Sequence, residues 1–297
     1  MTSNLPRLLL LCSVLTACVE DEPGVNRATP GGAGGPGAAG PGAPPAGAQV
    51  QEKADPLPTL DKAALESEAK KVTLVPSPSE MQNALKDAGI AQGLSALVPT
   101  RAPKMDVENK DVVAVRTGTV LAWALLTVKD APTASLVERM GQVKAGMASL
   151  GAGADIAATI DDITARLNND SLSRDDLLTE LDEMHGAIIP EIEYEAGPRS
   201  VPLIQAGSWL AGVNLIAATI VKEGKPEAGT KLLRQPEVAD HFLEYVRAEG
   251  ADKAPPEVMS QLEKTLITLK ELAAKPELTL DDVKTVQAQT DGVLALL

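Results

Sequence analysis

Apolar residues recur at steps of three and four along most of the chain beyond Thr59, and no other feature restricts its fold so sharply. Leu136, Met140, Val143, Met147 and Leu150 follow this spacing; so do Ile156, Ile160, Ile163 and Leu167, and again Leu177, Leu181, Met184 and Ile188. At 3.6 residues per turn each set forms one stripe on a helix, and a stripe of that kind has to be buried. Start signals agree with the spacing. Ser77 with Glu80, Ser173 with Asp176 and Thr279 with Asp282 each place an N-cap residue three positions ahead of an acid that suits a helix N-terminus. Gly151, Gly224 and Gly250 read as stops, and Pro132, Pro226 and Pro255-Pro256 as turns. The pattern predicts an all-α domain of about ten helices over residues 59–297, with little or no sheet and an extended piece between Ile192 and Val201.

Two of the expected helices are apolar all round. Val112 to Val128 is interrupted only by Arg116, which on a buried helix needs a carboxylate partner or a snorkelled exit to water. Val201 to Val221 carries no charge at all and is long enough to span a bilayer. Its Gln205, Ser208 and Asn214, together with two glycines, favour a helix buried at the centre of the domain. Both segments end alike, in Leu126-Thr127-Val128-Lys129-Asp130-Ala131-Pro132 and in Thr219-Ile220-Val221-Lys222-Glu223-Gly224-Lys225-Pro226. These turns resemble helical hairpins of the tetratricopeptide kind, which makes a repeat-like array the alternative to one irregular helical domain. The full 34-residue signature of that family does not recur.

Ahead of the helical region the composition changes. Residues 28–48 are almost entirely Gly, Pro and Ala, which offer no side chains for a core, so 18–58 is expected to be a disordered linker. About forty residues of such chain reach roughly 35 Å as a flexible coil. Still earlier, Arg7 precedes the short apolar run Leu8 to Val14, too short for a membrane span, and the run is followed by Leu15-Thr16-Ala17-Cys18. These residues resemble the signal peptide and lipobox of bacterial lipoproteins. The resemblance implies that residues 1–17 are removed, that the Cys18 thiol carries a covalent diacylglycerol and no other cofactor, and that acyl chains hold the protein at a bilayer in the bacterial cell envelope. Val19 stands where a retention aspartate would sit in the enterobacterial sorting pattern, which points to the outer membrane if the cell is Gram-negative. The membrane leaflet and face stay open. The chain has two cysteines; Cys12 leaves with the signal peptide and Cys18 takes the lipid, so the remaining domain has neither a disulfide nor a cysteine metal site.

Charge narrows the partners. Acidic residues number 41 against 27 basic ones, a net charge of −14, which repels nucleic-acid phosphates and anionic lipid surfaces. Aromatic residues make up 2% of the chain, too few to build stacking platforms for bases or sugars. The nucleophile elbow, the zinc-protease helix, the phosphate-binding loop and the dinucleotide fingerprint are all absent. Residues from Asn168 to Asp176 look like a calcium loop but place Ser173 and Thr179 where glycine and glutamate are required.

What remains is a non-enzymatic reading: a membrane-anchored envelope lipoprotein whose helical domain binds a protein partner or stabilises an envelope assembly. No catalytic or metal residue is assigned. The densest unusual polarity lies around Glu183, His185 and Glu191, beside Glu180, Asp182 and Glu193, and in Gln205, Ser208 and Trp209 of the charge-free segment. The competing reading is a small-molecule binder or enzyme with an inter-helix pocket lined by Trp209, Gln205 and Arg116. A third is metal binding centred on His185.

Overall fold

The computed structural model describes residues 78–297 except 102, 153, 251, 252, 254 and 255, and the side chains of 185–191 fall outside the description. Cys18, the linker and the Ser77 cap therefore lie outside the described residues. The domain is all-α. Helices run α1 (Pro78–Asp87), α2 (Lys110–Leu126), α3 (Thr133–Leu150), α4 (Ala154–Asn168), α5 (Arg174–Ala196), α6 (Ser200–Glu223), α7 (Pro226–Leu232), α8 (Pro236–Glu249), α9 (Pro256–Ala273) and α10 (Leu280–Leu294), with a short 3-10 turn at Ser95–Leu97. No strand occurs among the described residues.

The ends of these helices follow local chemistry. Ser173 Oγ accepts a hydrogen bond from the Asp176 backbone N–H at 3.1 Å and starts α5. Thr279 and Asp282 form a reciprocal capping box at α10, with the Asp282 N–H donating to Thr279 Oγ1 and the Thr279 N–H donating to the Asp282 carboxylate at 3.0 Å. Asn109, which carried no start signal in the sequence reading, caps α2 by accepting from the N–H groups of Asp111 and Val112. Gly151 and Gly224 close α3 and α6 in the left-handed conformation, at φ 92° and 67°, where a Cβ is disfavoured. Gly250 ends α8 at φ −82°, so its role there needs no glycine conformation.

Asp282 makes the capping box sensitive to acid. Hydrogen bonds from Lys275 and then from the Thr279 backbone favour its charged form and lower its pKa from 3.8 to about 2. A depressed folded-state value stabilises the fold fully above the unfolded value, near pH 4, and the contribution is lost as pH falls through about 2. Asp282→Asn is expected to flatten that part of a stability-versus-pH curve recorded by urea unfolding, and Thr279→Ala to cost about 1 kcal/mol at neutral pH. An unchanged acid limb in the Asn variant would show that Asp282 is not responsible.

The predicted stripes are the inner faces. Every apolar residue named for α3 and α4 is buried, as are Leu177 and Leu181 of α5. The extended piece expected between Ile192 and Val201 does not form. Helix α5 continues through Pro190 to Ala196, with Ile192 buried, and only the turn around Gly197 (φ 85°) separates it from α6. The inward spacing of α5 simply carries on past Pro190, which loses one N–H donor without ending the helix.

The centre of the domain is the packing of α2 against α6. Contacts pair Asp111 with Arg199, Gly118 with Ile204 and Leu126 with Gly212, so the two helices run in the same direction, about 88 residues apart in sequence. The Arg199 guanidinium grips the Asp111 carboxylate at 2.9 and 3.0 Å where both helices begin. Further along, small residues let the backbones approach. A Cβ at Gly118 would collide with the carbonyl oxygen of Ile204, and one at Gly207 with the carbonyl oxygen of Val115. Helix α6 is long and apolar enough to cross a membrane by length and composition, and here most of its residues between Ile204 and Ile220 are buried, with α2 and α10 packed against it. Asn214 Nδ2 ties it to α10 by donating to Thr290 Oγ1 at 3.0 Å. In a repeat array the main contacts would join successive hairpins. Here the most intimate pair, α2 and α6, is separated by three intervening helices, so the matching turns at Pro132 and Pro226 are helix ends rather than repeat boundaries.

Candidate functional site

The residues singled out by sequence do not converge. Gln205 and Trp209 lie one turn apart on α6 yet face different surroundings, and Arg116 of α2 belongs to a third. A shared pocket lined by Trp209, Gln205 and Arg116 is therefore not formed.

Gln205 and Ser208 line a partly open cavity of about 90 Å³ with walls from α1 to α6. Its other described walls are apolar, and four of the chain's seven methionines, Met81, Met140, Met147 and Met184, are among them. Methionine has an unbranched, polarisable side chain that repacks around shapes a branched residue would reject. Ser208 is 9% exposed, and its hydroxyl makes no hydrogen bond among the described residues. Other hydroxyls buried on these helices, such as Thr117, Thr119 and Thr219, bond back to the carbonyl four residues earlier.

Trp209 packs on Phe242 with ring centroids 5.3 Å apart, and its indole N–H donates to Gln235 Oε1 at 3.2 Å, so it serves the joint between α6 and α8. Arg116 is half-buried at the edge of a recess of about 500 Å³ walled by Trp123, Asn214, Asp291 and Leu294. It has no carboxylate side-chain partner. Its guanidinium donates instead to the main-chain oxygens of Lys104, at 2.7 Å, and Leu297. Those bonds fasten the segment before α2 and the end of α10 to the central helix, a structural task that its position in an apolar run did not disclose.

Glu183 is exposed on α5, while the side chains of His185 and Glu191 lie outside the described residues. Two of the neighbouring acids are engaged in the fold. Glu180 receives Arg166 from α4 in a bidentate pair, and Asp182 accepts from the Ser79 backbone N–H at 2.9 Å, holding α1 against α5. Asp161 and Asp162 pair with Lys144 and Arg166 on the solvent side of α4. Near the start of α6, Arg199 also lies beside His241 and Tyr245 of α8; the bond to Asp111 raises the Arg199 pKa and burial raises that of the Tyr245 phenol. No three metal-ligating side chains come together among the described residues.

One residue that the sequence reading passed over stands out. Tyr194, near the end of α5, is 91% exposed between Glu193 and Glu195, which are also exposed. The other aromatic residues are covered: Trp123 and Phe242 are buried, and Trp209 and Tyr245 half-buried. The stripe spacing offered a signal, since Leu177, Leu181 and Ile192 set the inward face and leave position 194 on the outer one. No family model, curated protein or solved structure matches the chain.

Proposed function

We propose that the chain is a bacterial envelope lipoprotein, anchored through lipid on Cys18, whose acidic helical domain docks a protein partner at the edge of α5 bearing Glu193, Tyr194 and Glu195. The observation that carries this reading is the tyrosine left in water. In a chain with five aromatic side chains, four contribute to packing within the domain and one is displayed between two carboxylates. Tyrosine supplies a large contact area for little conformational entropy and is enriched among the residues that dominate protein–protein binding. The flanking acids and the overall charge of −14 select a basic partner surface.

In-cell crosslinking of the tagged, lipidated protein, read by mass spectrometry, tests the proposal. Tyr194→Ala is expected to lower recovery of the specific partner at least tenfold, the consequence of losing a contact worth about 2 kcal/mol. Leu296→Ala, at the other large apolar side chain that is exposed, serves as control and leaves recovery unchanged. Equal recovery from wild type and Tyr194→Ala would remove this edge as the docking surface. The cavity beside Ser208 favours small-molecule binding as a second, separate activity.

A further inference from the structure

We propose that the methionine-lined cavity between α1 and α6 is a binding site for a small uncharged amphiphile, an alcohol or ester bearing a short alkyl chain, whose polar end meets Ser208 and Gln205. Three observations bear on the ligand's chemistry. The first is the polar pair itself. Ser208 is nine-tenths buried, and neither its hydroxyl nor the side chain of Gln205, one turn away on the same helix and half-buried, makes a hydrogen bond among the described residues. The Ser208 oxygen is not among the polar atoms sealed from solvent without a partner, so it is reached through the cavity and is open to a hydrogen bond from whatever enters. On the same helix the Thr219 hydroxyl is bonded internally, whereas Ser208 leaves its hydroxyl facing the cavity.

The second observation is charge. None of the described wall residues is ionisable in a domain otherwise rich in carboxylates, so the described walls offer a charged head no counter-ion to offset its desolvation. Serine hydroxyl and glutamine amide can each donate and accept, which suits a hydroxyl or ester and not an ion. The third is the body of the site. A space of about 90 Å³ is small, but Met81, Met140, Met147 and Met184 supply four flexible walls, and Met81, Met184 and Gln205 are only half-buried. Side chains with three rotatable bonds can move aside for several methylenes without displacing a helix. A rigid wall of valine and isoleucine at the same positions would not.

The test uses the full chain carrying Cys18→Ala, purified without detergent so that no acyl chain competes, with its methionine methyl groups labelled for NMR. The probes are 1-hexanol, n-hexane and hexanoate at pH 7, where the carboxylate is ionised. Hexanol is expected to shift the methyl signals of Met81, Met140, Met147 and Met184 saturably and to leave Met105 and Met259 unmoved. Hexanoate is expected to bind at least tenfold more weakly than hexanol. Ser208→Ala should lower hexanol affinity about fivefold, the effect of one net hydrogen bond, and leave hexane affinity unchanged. Gln205→Leu, at a half-buried position that tolerates the change, should act in the same direction. Absence of saturable shifts on the four methionines overturns the site. Equal binding of hexanol and hexanoate overturns the ligand class, and an unaltered preference for hexanol over hexane in both variants overturns the role of the polar pair. None of these outcomes depends on Tyr194 or on a protein partner.

Discussion

Gly118→Ala is expected to destabilise the domain by about 3 kcal/mol, the upper end of what overpacking a core costs, and Gly207→Ala by a similar amount. A methyl group at either position lands against a carbonyl oxygen of the facing helix, Ile204 in one case and Val115 in the other. Backbone atoms cannot rotate away as a side chain does, so α2 and α6 have to separate. Separation loosens the packing along the pair, including the contact of Leu126 with Gly212. Gly141 provides the control. It lies within α3 and a Cβ there meets nothing within 4 Å, so Gly141→Ala should stabilise the protein by about 0.5–1 kcal/mol through helix propensity alone. Urea unfolding of the three variants reads both signs in one experiment. If Gly118→Ala and Gly207→Ala unfold at the wild-type urea concentration, the close approach of α2 and α6 is wrong.

The second large effect concerns the membrane. If the proposed anchor at Cys18 holds the protein at the membrane, Cys18→Ala should move it from the membrane fraction to the soluble fraction almost completely. Each methylene of an acyl chain adds about 0.8 kcal/mol of bilayer affinity, so two chains make anchoring stable and their loss leaves nothing comparable behind. Helix α6, at 24 residues, is about 36 Å long and could cross a bilayer by length. In the fold it cannot do so without abandoning α2, whose Gly118 lies against the Ile204 carbonyl, and α10, which is held through Asn214. Fractionation of cells expressing Cys18→Ala, with carbonate washing of membranes, separates the two. Retention in the washed membrane would assign α6 to the bilayer and overturn the buried arrangement.

The candidate sites show where reading a sequence stops. Glu180 and Asp182 look like members of a polar constellation, yet Arg166 and the Ser79 N–H engage them as struts. Gln205 and Trp209 differ by only 40° around an ideal helix, close enough to suggest one pocket. Their surroundings diverge because neighbours from different parts of the chain, Met81 and Met184 on one side and Gln235 and Phe242 on the other, meet α6 at adjacent turns. Counting from Leu177 and Leu181 places Tyr194 on the outer face once α5 is known to run past Pro190 to Ala196, a continuation that the expected extended piece from Ile192 had ruled out.

What the sequence determined by itself was carried by short-range periodicity and local hydrogen bonding: the all-helical class, the buried stripes of α3 and α4, and the caps at Ser173 and Thr279. These depend on residues within one or two turns of each other. Only the tertiary structure decided that α2 and α6 lie side by side in the same direction, that Arg116 is satisfied by main-chain oxygens, and that a cavity with an unpartnered Ser208 opens between the helices. The two central helices are apolar on every side, so their own patterns select no face. Which sides met was settled by where small residues allowed two backbones to come close, a property of the pair rather than of either segment.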